Sequence, residues 1–182
     1  MVSKPVSESE FLEKNAVLVY NLALRLTGNA SDAEDLAQDA LLRALKALAN
    51  FRGESSLSTW VYRITVNTWK NRVRSEKRRG LWKMVPLNLF SGDDGEEEES
   101  TLKDDSKPLD TGLETDEKGS MVQKALLELD TESRAVVVLR EIEGQSYQEI
   151  AAALEIPEGT VKSRLSRARE ALKEKLQKYV TP

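Results

Sequence analysis

The chain has no cysteine and no histidine in its 182 residues. The first absence removes disulfides and thiolate metal sites. The second removes the usual general base and the usual nitrogen ligand for a metal. No apolar run reaches the length needed to span a bilayer, and the N-terminus MVSKPVSESEF has no apolar signal segment. The expectation is a soluble, cytoplasmic protein that needs no metal or cofactor and is not inserted into a membrane. What is abundant is charge, at 32% of residues, beside 40% apolar residues. Such a chain builds helix-rich domains with modest cores, and its length allows one large domain or two small ones.

The net charge of −4 conceals a strong asymmetry. Ser91 to Gly119 holds 12 acidic and 3 basic residues, a local −9, which leaves +5 for the rest. Trp60 to Lys83 has 8 basic residues against 1 acidic, and Ile156 to Lys178 has 7 against 3. Two basic patches separated by an acidic connector fit a nucleic-acid partner better than the overall charge suggests. The connector FSGDDGEEEESTLKDDSKPLDTGLETDEKG is poor in large apolar residues and cannot bury enough to offset its ordering entropy. It reads as a flexible linker dividing the chain into residues 1–90, a linker 91–118, and residues 119–182. Its acids lack regular ligand spacing, so a solvated tether is favoured over a metal site.

Both flanking parts read as all-α. FLEKNAVLVYNLALRLTG has helical apolar spacing and ends at Thr27, Gly28 and Asn29. In SDAEDLAQDALLRALKAL, Ser31 and Glu34 have capping-box spacing. Ala33, Leu36, Ala37, Ala40, Leu41, Ala44 and Leu48 then form a stripe. FRGESS interrupts, and SLSTWVYRITVNTWKNRVRSEKRR follows as a long helix with Leu57, Trp60, Val61, Ile64 and Thr68 inward. This phase makes Trp60 a core residue, while Trp69 is left open between core packing and base stacking. Pro86 stops a regular helix in the apolar LWKMVPLNLF.

In the C-terminal part, SMVQKALLEL reads as helix; the VVV of SRAVVVLREIEG could mimic a strand, but the flanking Leu126, Leu129, Leu139 and Ile142 favour a helical bundle. SYQEIAAAL carries a second capping box, Ser146 and Glu149, and EIPEG is a turn with Pro157 suited to a first helical position. Val161, Leu165, Ala168 and Leu172 line one face of the last helix. Two short helices around such a turn make a helix-turn-helix, whose second helix enters the major groove N-terminus first. Burial of that face turns Lys162, Ser163, Ser166, Arg167 and Arg169 outward, with Thr160 in the first turn. These side chains suit guanine edges and phosphates. A merely solvated basic face is the competing reading. Agreement of turn, cap and phase weakens it but leaves many kinds of regulator open.

Two blocks carry a family resemblance: GNASDAEDLAQDALLRALKALANFRGESSLSTWVYRITVNTWKNRVRSEKR and LLELDTESRAVVVLREIEGQSYQEIAAALEIPEGTVKSRLSRAREALKEKL. They resemble regions 2 and 4 of bacterial RNA polymerase sigma factors of the extracytoplasmic-function (ECF) group, in the expected order. The resemblance implies an alternative sigma factor that binds core RNA polymerase, directs it to promoter DNA, and does no covalent chemistry itself. It implies docking on the clamp coiled coil of the largest subunit through Asp35, Leu36, Gln38, Asp39, Leu42 and Arg43. It implies that Phe51, Gly53, Ser55 and Ser56 frame a base flipped out of the −10 element. Tyr62, Arg63, Asn67, Lys70, Asn71, Arg74 and Arg78 then follow the strand, with Arg72 and Arg79 on phosphates. The −35 element falls to Thr160, Lys162, Ser163, Ser166, Arg167 and Arg169. Arg140 and Tyr147 touch phosphate or polymerase, or simply pack. Further implied partners are the flap of the second-largest subunit and a cognate anti-sigma factor. An acidic linker near the polymerase cleft would mimic nucleic acid. A dimeric helix-turn-helix regulator with a helical sensing half is the alternative.

Overall fold

Polar caps set the helix boundaries in the computed structural model, which describes residues 7–53, 55–84 and 117–180. Nearly all of the stretch read as an acidic linker lies outside the described residues, as does Pro86. The Ser7 hydroxyl accepts from the Glu10 N–H (3.2 Å) and starts helix α1, Glu8–Thr27. Gly28, at φ 86°, ends it and returns its N–H to the Leu24 carbonyl. Helix α2 spans Ala30–Leu48. Its cap is Asn29, whose Oδ1 accepts from the Asp32 N–H (2.8 Å), rather than the Ser31/Glu34 box expected from spacing. The left-handed turn at Gly28 delivers Asn29 directly into the extended conformation that a cap needs, so Ser31 already lies within the helix.

Helix α3 spans Leu57–Met84, with the Ser56 hydroxyl accepting from Thr59 N–H (3.0 Å). It passes Gly80, a residue that costs a helix only about 1 kcal/mol relative to alanine. Thr65 and Thr68 are buried in α3 because their hydroxyls donate to the Val61 and Ile64 carbonyls one turn back.

The C-terminal half contains α4 (Glu117–Leu127), α5 (Thr131–Val137), α6 (Tyr147–Leu154) and α7 (Glu158–Val180). The VVV run is helical. It ends α5 and enters a wider π-helical stretch, Val138–Ile142. Ala135 to Leu139 are buried without interruption, so this helix is covered on all sides and its apolar continuity is not a strand signal. The Ser146/Glu149 capping box forms as expected. Pro157 stands one residue before α7, its carbonyl accepting from Thr160 and Val161, so it caps the helix rather than opening it. All regular structure among the described residues is helical, in agreement with the all-α expectation.

The two helical halves share one buried cluster. Phe11, Leu22, Leu36 and Val66 belong to one half, and Leu126, Val136, Ile150 and Leu165 to the other. Helix α3 packs on α6 and α5, and α1 packs on α4. Arg134 ties the halves together: its guanidinium donates to the carbonyls of Leu26, Leu126, Leu127 and Leu129 and lies 5.6 Å from the Trp69 ring centroid. Burial pushes the Arg134 pKa down, partly offset by Asp130, and the carbonyl ligands compensate the half-buried charge in the usual way.

Trp69, left undecided by the sequence, is a core residue, and Trp60 packs on the edge of the core as expected. Trp69 is 3% exposed, whereas Trp60 is only partly buried. The reason is tertiary, because α5 covers the side of α3 that carries Trp69. Trp60 sits at the helix start, 5.1 Å from Phe51 and 6.5 Å from Phe11 between ring centroids.

Candidate nucleic-acid interface

Helix α7 presents the expected row. Val161, Leu165 and Ala168 are buried, while Lys162, Ser163, Ser166, Arg167 and Arg169 are exposed and Thr160 is partly exposed. The phase follows from the apolar spacing, since α5 and α6 both pack on the buried face. Lys162 pairs with Glu158 one turn back (2.8 Å), and the Arg167 Nε donates to the Ser163 carbonyl (3.3 Å). The Glu158 hydrogen bond and charge raise the Lys162 pKa, keeping it cationic. Arg169 differs from the rest of the row. Both its Nε and a terminal nitrogen donate to Glu141 Oε1 (2.9 and 2.7 Å), which steers it toward the protein. Arg140 and Tyr147 pack. The Arg140 guanidinium lies 4.9 Å from the Tyr147 ring centroid and donates to the Gln145 carbonyl (2.8 Å), and Lys162 approaches the same ring at 5.7 Å.

On α2, Asp35, Gln38, Asp39, Leu42 and Arg43 share the exposed face, and Leu42 is 55% exposed. Leu36 does not belong there. It is fully buried, because the inward stripe of Ala33, Ala37 and Ala40 carries it into the core, and it supports the face from behind. Arg72, expected on phosphate, reaches back to α2 instead. It lies 3.5 Å from Asp32, 3.6 Å from Asp35 and 3.4 Å from Glu76.

The loop between α2 and α3 and the start of α3 enclose a cavity of about 360 Å³ lined by Asn50, Phe51, Arg52, Ser55, Trp60, Arg63 and Ala152. Phe51 and Ser55 were expected at a base pocket, and Gly53 (φ 72°) and Ser56 stand exposed in the same loop. Asn50, Arg52 and Trp60 were missed as lining. Their signal was adjacency to FRGESS, but only the folded loop closes a wall around them. Ala152 comes from the other half of the chain, which no spacing rule reveals.

Along α3, Asn71, Arg74 and Arg78 are exposed and Asn67 is partly exposed. Three other residues expected on the DNA strand are engaged by the C-terminal half. Tyr62 is 4% exposed and donates its hydroxyl to Glu143 (2.7 Å); burial first, and this hydrogen bond next, push its pKa up. Free access by Tyr62 is therefore a corrected expectation, since α6 and the π-helical turn cover it. The Arg63 Nε donates to the Ala152 carbonyl (3.1 Å), with Glu155 at 3.8 Å. Lys70 pairs with Glu132 (2.7 Å), which also accepts from Arg164 (2.6 Å). Burial pushes the Glu132 carboxyl up, but hydrogen bonds and charge from Lys70 and Arg164 outweigh it and hold the group below the ordinary glutamate range. Glu132, Glu143 and Arg164 escaped the sequence reading because their partners lie 32 to 81 residues away.

No cluster of three acidic side chains fit to hold a metal occurs among the described residues, and no described helix is long and apolar enough to cross a membrane. Fold and surface together define a helical protein of two modules, each with a basic face, one of them a helix-turn-helix.

Comparison with known proteins gives the family. Residues 11–79 match the Sigma-70 region 2 model and residues 120–172 the Sigma-70, region 4 model. The RNA polymerase sigma-H factor of Pseudomonas aeruginosa is 38% identical over 161 residues, 87% of this chain and 80% of that protein. The ECF RNA polymerase sigma-E factor of Escherichia coli K12 is 39% identical over 153 residues, 83% of this chain and 77% of that one. The sigma factor RpoE solved with the anti-sigma factor NepR from Bartonella quintana is 26% identical, with a TM-score of 0.67 over 96% of this chain and 98% of that one. CnrH, solved with the cytosolic domain of CnrY, shares the fold at 24% identity and a TM-score of 0.61, covering 93% and 87%. The chain belongs to the sigma-70 family, in its ECF branch. It is an alternative sigma factor that directs transcription initiation by RNA polymerase and is not an enzyme. The dimeric-regulator alternative gives way to this assignment.

Proposed function

We propose that the two modules divide promoter recognition between them, residues 1–90 acting on the −10 element and residues 119–182 on the −35 element, with 91–118 as the tether. Thr160, Lys162, Ser163, Ser166 and Arg167 on α7 read the upstream duplex. The observation that carries this part is the row's exposure on one side of a helix whose opposite side is buried. Arg169 takes part once Glu141 releases it.

The cavity bordered by Phe51, Ser55 and Trp60 receives a base drawn out of the −10 strand, with Gly53 and Ser56 in its loop. Extrusion costs a few kcal/mol, so the enclosing walls and the basic helix beyond must compensate. Asn67, Asn71, Arg74 and Arg78 follow the strand on α3, joined by Tyr62, Arg63 and Lys70 when the C-terminal half moves away. The exposed acids and Leu42 on α2, with Gln38 and Arg43, dock on the polymerase clamp. Such a factor works in the cytoplasm, where its polymerase is. The solved complexes of RpoE with NepR and of CnrH with CnrY support an anti-sigma partner for this chain too.

Run-off transcription with purified core polymerase and a genomic promoter library tests the reading. Specific initiation from a subset of fragments is expected. A protein that stays off core and initiates none of them refutes it. In the same assay, Asp39→Ala with Leu42→Ala is expected to lower core affinity while leaving the fold intact by circular dichroism.

A further inference from the structure

Among the described contacts, Arg169 is the member of the exposed α7 row whose charge is paired by another element. Its Nε and a terminal nitrogen both donate to Glu141 Oε1, at 2.9 and 2.7 Å. Glu141 lies in the π-helical stretch Val138–Ile142, where the Glu143 N–H reaches five residues back to the Val138 carbonyl (3.0 Å). Such single wide turns occur frequently at functional sites. Val138 and Leu139 are buried on its inner side. Arg140 and Glu141 turn instead to the helix-turn-helix, where Arg140 meets Tyr147 of α6 and Glu141 meets Arg169 of α7. Arg169 also borders an open recess of about 340 Å³ that it shares with Tyr147, Lys162, Ser166 and Lys173. The same guanidinium thus stands between a carboxylate of its own module and a basic recess on the row that faces the duplex.

We propose that Glu141 is a specificity-determining residue of upstream-element recognition that acts through Arg169, withholding the guanidinium from every phosphate except one that Lys162, Ser163, Ser166 and Arg167 have already seated in the recess. The proposal rests on the −35 assignment of α7 given above. Its chemistry is an exchange of acceptors. Glu141 offers one oxygen to two donors, whereas a phosphate offers two oxygens to the same fork and matches it better. The Glu141 and Arg169 side chains are 43% and 50% exposed, and ion pairs this open are weak, so a well-placed phosphate displaces the carboxylate. A duplex in the wrong register places no phosphate within reach and meets only the repulsion of Glu141. Selectivity is then gained by penalising the wrong partner as well as by rewarding the right one.

Two fluorescein-labelled duplexes test this with holoenzyme assembled from the full chain and core polymerase. One is a promoter fragment found by run-off transcription, and the other is the same fragment with its upstream element shuffled. Whatever core contributes is common to both. Glu141→Gln is expected to bind the shuffled fragment about threefold more tightly, with a log–log salt slope steeper by roughly 0.9 for one added phosphate contact. Its affinity for the promoter fragment should change little, so selectivity falls by the same factor. Arg169→Ala is expected to weaken binding of the promoter fragment and leave the shuffled one nearly unchanged. In the Arg169→Ala background, Glu141→Gln should add nothing, the non-additivity that marks a residue acting through another. Glu174→Gln removes the same charge from an exposed position further along α7 and should leave selectivity as in wild type.

Equal effects of Glu141→Gln and Glu174→Gln overturn the proposal, as does an effect of Glu141→Gln that persists without Arg169 or that weakens both fragments alike. Failure of the −35 assignment shows separately, as an Arg167→Ala holoenzyme whose preference between the two fragments equals that of wild type, and it removes the role of Glu141 as well.

Discussion

Trp60 and Trp69 lie nine residues apart on one helix and do different work. Trp69→Ala is expected to destabilise the protein by about 3–5 kcal/mol, as for other buried aromatic deletions, and to loosen the Arg134 contact with it. Trp60→Ala opens the wall of the loop cavity and costs less, about 1–2 kcal/mol. Thermal melts rank the two, and permanganate footprinting of the −10 region separates them further, because Trp60→Ala should lose strand opening at temperatures where it is still folded. Gly28 is a second residue of unequal weight. A Cβ there would stand 2.5 Å from Leu127 Cδ1 across the seam, and φ 86° is unfavourable for any L-residue by about 1–2 kcal/mol. Gly28→Ala should therefore lower stability by at least that conformational cost, checked by urea titration. Helical spacing puts Trp60 on the inward face and leaves Trp69 undecided; Trp60 is half-buried against Phe11 and Trp69 is buried. Trp69 is the more deeply buried of the two, which spacing does not show because it identifies a helix face and not which neighbour covers it.

At the level of the element, α7 is almost wholly legible. Its apolar period fixes the buried face, and turn and cap fix its start to within one residue. What spacing leaves out is the fate of individual cations: Arg167 remains exposed, while Glu141 holds Arg169 at 2.7 Å. Arg167→Ala is expected to weaken promoters that depend on the −35 element while leaving core binding nearly unchanged, as measured by run-off transcription beside a core-binding titration. Loss of core binding in that variant would mean that its face contacts polymerase and not DNA. The first helix of the helix-turn-helix depends on its cap. Removing the hydroxyl in Ser146→Ala should cost about 1 kcal/mol, seen as a lower urea midpoint with an unchanged slope. Helix α2 shows the limit of the same reasoning. A capping box was expected at Ser31, yet Asn29 takes the role because the preceding glycine has already turned the chain.

Across the whole molecule, the seam between the halves carries charge, and its strength varies with pH. Lys70 on α3 and Arg164 on α7 face Glu132, with Asp130 close by on its own segment. Glu132 is held below the ordinary glutamate range, against the effect of burial, so its stabilising contribution is complete above that range and is lost as the pH falls through the folded value. Acid melts from pH 7 to pH 3 should show a stability loss that Glu132→Gln makes shallower. The amino-acid sequence by itself determines six of the seven α-helices found among the described residues, the stop at Gly28 and the Ser146/Glu149 capping box, since hydrophobic period and capping chemistry act over a few residues. It also determines that two basic modules flank an acidic stretch, and two family blocks name the function. Only the tertiary structure decides that the modules share one core, that Leu36 and Tyr62 are covered, and that Glu132 pairs with cations from both modules. The physical reason is range: a periodic pattern reports that a face must be buried, whereas the surface that buries it comes from residues tens of positions away.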